Sequence, residues 1–348
     1  MNIREAVSED SYELQQLQAQ CPQGTSLVVS TVNTPDFFAR IKAYESYKVY
    51  LACDRNRIIG SGACAIRSAV VNNKIRRIGY EFQYFTSPNH RKTGIAKRLR
   101  QQIEDHLIQS GTQLSYALIM EDNLPSIRLF EREGFKQHRT LLMPALAVRK
   151  DMKVFPEGNV RPAKSQDLTT IAELLNSTWK GHELYEPMSA NTLARLIHRL
   201  PTFSHDSLLI FEAQGEILAC LGGWDWSRVM EVTVQALSRK LKIVGWVLTT
   251  SRILPRFPKP GKRMKQMMLT FIGFKEPAHL AVLIRHMNNQ ALRNDIEQIF
   301  CVCERDDLLL KSMKGFIRVN TAIHLYTKPL GQGLSLASGP VFVDGIDL

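Results

Sequence analysis

Apolar positions along the chain switch between a period of two and a period near 3.6, and the switches mark the elements. A short strand at 3–6 leads to a helix over 9–20 with Ser8 as its cap, and a second short helix follows at 36–44. Apolar and β-branched runs then predict strands at 48–53, 58–68 and 77–86, the first two joined at the turn-forming Asp54-Arg55-Asn56. After Thr93 the spacing is helical, with Ile95, Leu99, Ile103 and Leu107 on one face until Ser110-Gly111 ends it. A strand at 115–120, a helix at 124–133 and a strand at 136–147 complete the first half.

The second half runs in the same order. A strand at 159–162, helices at 166–177 and 190–200, and strands at 208–213 and 217–233 are followed by a strand at 266–273, a helix at 278–293, a strand at 298–303, a helix at 307–314 and a strand at 317–327. Glu121-Asp122-Asn123 followed by Gly134-Phe135 has its counterpart in Glu304-Arg305-Asp306-Asp307 followed by Gly315-Phe316. A single long period of this kind predicts a duplicated α/β domain. The copies fall at 1–150 and 158–330, with a linker around Pro156 and a Gly- and Ser-rich tail, 331–348, lying on the surface. A length of 348 residues suits two domains.

Charge adds a partner to this picture. The 45 Lys and Arg against 33 Asp and Glu leave +12, of which residues 1–150 carry +7 and residues 151–348 carry +5, so an anionic ligand or surface is expected. No apolar run reaches the length of a membrane span, and Met1-Asn2-Ile3-Arg4-Glu5 lacks the basic-then-apolar order of a signal peptide. A cytoplasmic location without a membrane partner is therefore the expectation. Six cysteines without a CxxC pair, and nine histidines without HExxH spacing, point to buried reduced thiols and no metal site. Cys301 and Cys303 are expected on opposite faces of one strand. Between 239 and 265 stand nine Lys and Arg and no Asp or Glu, interleaved with Trp246 and Phe257. A basic surface loop is the plainer expectation and nucleic-acid binding the sharper one. Trp224 and Trp226 are expected to share one strand face and fill core or an interface.

The chemistry concentrates at Phe85-Thr86-Ser87-Pro88-Asn89-His90-Arg91-Lys92-Thr93-Gly94-Ile95-Ala96-Lys97. A strand enters a basic loop that turns at a glycine into a helix, and the unpaired N–H groups and positive end of that helix suit a pyrophosphate. Arg91, Lys92, Lys97, Arg98 and Arg100 would add screening charge. Arg91-x-x-Gly94-x-Ala96 resembles the acetyl-CoA pyrophosphate motif of the GCN5-related N-acetyltransferase (GNAT) family. Asn123-x-x-Ser126-x-x-Leu129-Phe130-x-x-x-Gly134-Phe135 resembles that family's second motif. Tyr80, Ser87-Pro88, His90-Arg91, Ser115-Tyr116 and Asp122-Asn123 together are similar to the Hookless-type N-acetyltransferases of plants.

The resemblance implies two tandem acyl-CoA N-acyltransferase folds, each a mixed, mostly antiparallel sheet flanked by helices. It also implies an N-acetyltransferase in which a primary amine attacks the thioester of acetyl-CoA directly. The amides of Thr93, Gly94, Ile95, Ala96 and Lys97, with Arg91 and Lys92, would hold the pyrophosphate; the strand edge at Phe85, Thr86 and Ser87 would pair with the pantetheine; Asn123 and Ser126 would touch its arm. Glu81, Glu121 and Tyr80 are the candidates for proton transfer. Phe130 stands where many members place a tyrosine, which leaves the general acid to Tyr80, Tyr84, Tyr116 or solvent. In the second copy, Lys275-Glu276-Pro277 takes the place of the phosphate loop, so that copy is expected to be degenerate. An acyl-CoA-binding regulatory module without turnover is the alternative. The acceptor is an amine-bearing small molecule or protein, and a homodimer is left open.

Overall fold

A computed structural model describes residues 1–154, 158–250, 257–331 and 334–348, without the side chains of 248 and 249. Pro156 of the expected linker, and Arg252 and Arg256 of the basic run, lie outside the described residues. The first half runs β1 (Asn2–Glu5), α1 (Ser11–Ala19), β2 (Leu27–Asn33), β3 (Ser46–Asp54), β4 (Arg57–Val71), β5 (Lys74–Thr86), α2 (Ile95–Gln109), β6 (Leu114–Met120), α3 (Leu124–Arg132) and β7 (Lys136–Ala147). The second continues with β8 (Asn159–Pro162), α4 (Leu168–Thr178), α5 (Ala190–Arg199), β9 (Leu208–Ala213), β10 (Glu216–Asp225), β11 (Met230–Leu237), α6 (Arg239–Thr250), β12 (Arg263–Met264), β13 (Gln266–Phe274), α7 (Pro277–Arg293), β14 (Gln298–Phe300), α8 (Leu309–Ser312) and β15 (Arg318–Pro329).

Twelve strands form one sheet in the order β1-β3-β4-β5-β6-β15-β7-β14-β13-β10-β9-β8, and β12-β11-β2 form a second, three-stranded one. Among the described residues of the large sheet, only β5/β6 and β13/β14 pair in parallel. The chain crosses between the halves at its centre. β15 inserts between β6 and β7, and β7 in turn lies between β15 and β14, so each half lends a strand to the other. The Leu141↔Ile323 pair sits near the middle of the β7/β15 pairing that joins the two halves. Apolar side chains of α1, α4 and α5 share one core beneath both halves of the sheet. α2 packs on the other face of the first half and α7 on that of the second.

The duplication extends to a backbone irregularity. Register slips between Ser61 and Ala63 opposite β5, and between Cys220 and Gly222 opposite β13, with Gln83 (φ 55°) and Phe271 (φ 49°) in the left-handed region at the same place in each strand. A bulge re-aims the side chains that follow it. The parallel partner diverges three residues short of each bulge: β5/β6 pairing ends at Tyr80↔Tyr116 and β13/β14 pairing ends at Met268↔Phe300. A V-shaped opening follows in each half.

Several expectations need correction. Residues 27–33 form strand β2, and 36–44 contain only a single 3-10 turn, Ile41–Ala43, because the β-branched run of β2 finds an edge partner in β11 from the other half. The strand expected over 217–233 breaks at a 3-10 turn, Trp226–Arg228. Trp224 is fully buried in β10 whereas Trp226 leaves the strand, so the two indoles do not share a face. The basic segment, expected as a loop, begins as helix α6 and ends in β12. Cys301 and Cys303 pack into one core cluster, since β14 ends at Phe300. The tail is not superficial either: Leu336, Val341, Val343, Ile346 and Asp347 are buried. Residues 332 and 333 lie outside the described part of it.

Candidate active site

The opening past Tyr80↔Tyr116 leads from strand β5 to the start of α2. Gly94 is the N-cap of that helix at φ 83°, Lys92 also has a positive φ of 65°, and a Cβ at Gly94 would meet nothing within 4 Å. The first amide with an intrahelical acceptor is Arg98 N–H, bonded to Gly94 O at 3.1 Å, so the N–H groups of Ile95, Ala96 and Lys97 face outward at the positive end of the helix. The alternating backbone makes an anion-binding nest. Thr93 Oγ1 donates to His90 O at 2.6 Å and Ser87 N–H to Ile59 O at 2.9 Å, which fix the two ends of the loop. The loop's charges Arg91, Lys92 and Arg98 are exposed, and Arg91 also lies beside the Cys21 thiol, whose pKa burial raises against the pull of that guanidinium. Arg100 does not screen phosphate as expected. It is buried and bound to Glu104 and to Glu133 at 2.8 Å, a cluster that locks α2 to α3; Lys97 reaches Glu133 at 3.7 Å.

The free edge of β5 carries Gln83, Phe85 and Thr86. Both side-chain amide atoms of Gln83 are buried without a partner, the state expected of a group that a polar arm would satisfy. Across the opening, Asn123 caps α3 by accepting from Ser126 N–H at 3.3 Å, and Thr25 N–H donates to Asp122 at 2.9 Å. The residues carrying the resemblance are therefore gathered round one cleft. An acyl-CoA fits it by three observations: an open glycine cradle at a helix start, an orphaned amide on the strand edge, and capping side chains opposite.

At the apex the two faces of β5 differ. Tyr80 and Phe82 point to the α1 side, where Tyr80 stacks on Phe82 at 4.7 Å and on Tyr116 at 4.9 Å. Glu81 points to the α2 side, 2% exposed, accepting from Tyr84 at 2.6 Å and Ser115 at 2.8 Å. The bulge at Gln83 lets Tyr84, three residues on, share a face with Glu81. Gly62 makes room for it, since a Cβ there would stand 2.8 Å from the Tyr84 ring. Burial raises the pKa of Glu81 against the pull of both hydroxyls, and burial together with Glu81 holds Tyr84 well above its usual value. Tyr84 also meets Phe130 edge-on at 5.5 Å, so a phenol lies against the ring that replaces the family tyrosine. Glu121 is exposed at the end of β6, five residues beyond Tyr116 and hence about 16 Å from the apex along the strand.

The α1 side holds residues that sequence reasoning missed. Asp347 of the tail is 2% exposed and accepts from Arg67 at 2.6 Å, Tyr44 at 3.0 Å and Tyr116 at 3.2 Å, while its carbonyl takes the Tyr80 hydroxyl. Arg40 lies over Phe82 at 5.4 Å and Trp226 at 5.7 Å, with its Nε and Nη2, and the Trp226 Nε1, buried and unbonded. No local signal in the tail marks Asp347; only the fold brings it there. In the second half the loop of residues 87–94 shrinks to Lys275 and Glu276 between β13 and α7. The tail packs into that half's opening: Gly345 sits on β13 where a Cβ would be 2.4 Å from Leu269 O, and Thr270 donates to Asp344 at 2.5 Å.

Residues 12–135 match the model of the Acetyltransferase (GNAT) family, so this segment carries a GNAT domain. No curated protein matches the chain by sequence. Solved structures match nearly all of it in fold. Saccharomyces cerevisiae N-myristoyltransferase with bound myristoyl-CoA aligns at TM-score 0.65 and 9% identity over 94% of this chain and 78% of that one. The same yeast enzyme with bound myristoyl-CoA and inhibitors gives 0.66 and 10% over 98% and 86%. A GCN5-related glucosamine N-acetyltransferase region of a fungal multi-domain beta-N-acetylglucosaminidase gives 0.62 and 12% over 94% of this chain and 38% of that one. The architecture is thus the tandem GNAT-type N-acyltransferase fold.

Proposed function

We propose that the protein transfers an acetyl group from acetyl-CoA to a primary amine, using the first half for cofactor binding and chemistry. The observation that carries this is the join of the bulge-opened apex to the glycine-cradled start of α2 within the segment matching the acetyltransferase family. The thioester supplies an activated acyl carbon. The amides of Thr93, Gly94, Ile95, Ala96 and Lys97, with Arg91 and Lys92, orient its nucleotide end. Phe85, Thr86 and Ser87 line the arm with Asn123 and Ser126 opposite. The aromatic stack of Tyr80, Phe82 and Tyr116 closes the apex, which favours a short acyl group over a long chain.

The amine enters on the α1 side, beside Asp347, Arg40 and Trp226, and gives up its protons to water, while the C–S bond breaks and the thiolate departs on the α2 side. Tyr84, bonded to Glu81, is the proton donor to that thiolate, taking the part left open by Phe130; Glu81 orients it. Tyr80 holds the tail, and Glu121 contributes charge at the rim. The second reading, an acyl-CoA sensor without turnover, draws support from the tail residue Asp347 occupying the α1 side of the apex.

Titration calorimetry of the full chain with acetyl-CoA tests the binding step. Binding should weaken at least tenfold in Gly94→Val, whose backbone strain alone costs only about 1–2 kcal/mol. Unchanged affinity would sink the assignment of the cradle. Thiol release over a panel of amines separates the readings, since binding without release on any amine leaves only the sensor.

A further inference from the structure

Four exposed large apolar side chains fall within five positions of helix α6: Ile243 at 65%, Val244 at 46%, Trp246 at 68% and Val247 at 49% exposure. Ile243, Trp246, Val247 and Thr250 are spaced i, i+3, i+4 and i+7, so they lie on one face. The opposite face is the anchored one, since a Cβ on Gly245 would come within 2.4 Å of the Phe257 ring. Arg239, Lys240 and Lys242 flank the apolar face, and Lys259 and Lys262 are exposed on the segment that leads back into β12. No Asp or Glu occurs from 239 to 265. The helix is tied to the rim of the cleft: Ser238 N–H donates to Ser26 O at 2.8 Å, and the adjacent Thr25 bonds Asp122 at the start of α3.

We propose that α6 is an interfacial anchor by which the protein lies on an anionic lipid surface, with Ile243, Trp246 and Val247 in the headgroup–acyl boundary and Arg239, Lys240 and Lys242 among the headgroups. Its 12 residues are too few to cross a bilayer, but an amphipathic helix with a basic flank and a tryptophan is built to lie in its plane. Nucleic acid is the poorer partner, because phosphates engage the cations and leave the aliphatic face in water. A second copy is poorer still, because it would set two acid-free basic segments against each other. The inference is independent of acyl transfer; its consequence is that the rim of the cleft is held beside the lipid.

Sedimentation of the full chain with vesicles of phosphatidylcholine alone, and of phosphatidylcholine with phosphatidylserine, tests the anchor. Binding is expected only with phosphatidylserine, falling with added salt and about fivefold for each of Lys240→Ala and Lys242→Ala. A blue shift of tryptophan emission on vesicle addition, lost in Trp246→Phe, is expected with it. The pair Ile243→Asp and Val247→Asp, both at exposed positions, should abolish binding with the circular dichroism unchanged. No binding to phosphatidylserine vesicles at low salt, or full binding by the aspartate variant, overturns the proposal. So does retardation of duplex RNA or DNA by a chain indifferent to vesicles, or a dimer that the aspartate pair dissociates.

Discussion

Replacing Glu81 with glutamine tests the buried pair at the apex through stability as well as through rate. Glu81 is 2% exposed and bonds two hydroxyls at 2.6 and 2.8 Å; Arg100, the nearest influential cation, is spent on Glu104 and Glu133. Burial is the largest influence on its pKa and raises it from the ordinary 4.5. The unfolded chain releases this proton near 4.5, whereas the folded chain holds it to higher pH. The stability that Glu81 contributes is thus full below that value, falls as pH rises toward the folded pKa, and stays low above it. Each tenfold difference in proton affinity corresponds to between about 1 and 2 kcal/mol. Glutamine keeps the shape and one acceptor but does not titrate, and its imperfect match to two hydroxyl donors costs about 1 kcal/mol at every pH. Urea unfolding of parent and Glu81→Gln at pH about 4 and about 7 should therefore show the variant gaining on the parent between the two. A difference that does not change with pH would refute the buried, proton-holding carboxylate. In the same variant, turnover should fall with the KM for acetyl-CoA unchanged, since Glu81 touches Tyr84 and not the phosphate cradle.

Asp347→Ala should lose up to about 3–5 kcal/mol in urea unfolding, because Arg67, its side chain 13% exposed, keeps only Glu186 at 4.0 Å as a carboxylate neighbour, and adding Arg67→Met should recover much of it. A fragment ending at residue 150 lacks β15, so β6 and β7 lose the strand between them; circular dichroism should show it unfolded or associated while the full chain is folded. All six cysteines are buried, so a thiol reagent should label none in the native protein and six after denaturation. Arg40→Gln should raise the KM for the amine without changing acetyl-CoA affinity, measured by thiol release and calorimetry respectively, because Arg40 faces the α1 side only.

Elements whose stabilising contacts are local were legible in the sequence. The stripe of Ile95, Leu99, Ile103 and Leu107 marks α2, and all four are buried where the pattern puts them. The turn into α2 was legible for a similar reason, because Gly94 answers a local backbone need, a positive φ at a helix start. β2 was missed although Leu27-Val28-Val29 is β-branched and apolar, because its partner is β11, some two hundred residues later, and no local period reports a strand between halves. Glu81 could be assigned no face because alternation fails at a bulge, and a bulge at Gln83 has no glycine to announce it. The tail's polar and glycine-rich composition resembles a surface segment. Its burial depends on a cleft left free in the second half, where only Lys275 and Glu276 join β13 to α7.

The short β13–α7 connection has a structural consequence. With residues 87–94 reduced to Lys275 and Glu276, the second opening no longer has a helix start free to receive phosphate, and the space past Met268 is available to the chain's own tail. The tail then runs on to the apex of the first half, where Asp347 meets Arg67, Tyr44 and Tyr116. The second half also supplies β15 to the first half's sheet, β11 to β2, and Trp226 to Arg40. Every one of these contributions reaches the α1 side of the working cleft or the strands that frame it. On the proposed reading the second half is therefore a wall of the acceptor side, built by strands, an indole and a tail carboxylate rather than by a second cofactor loop.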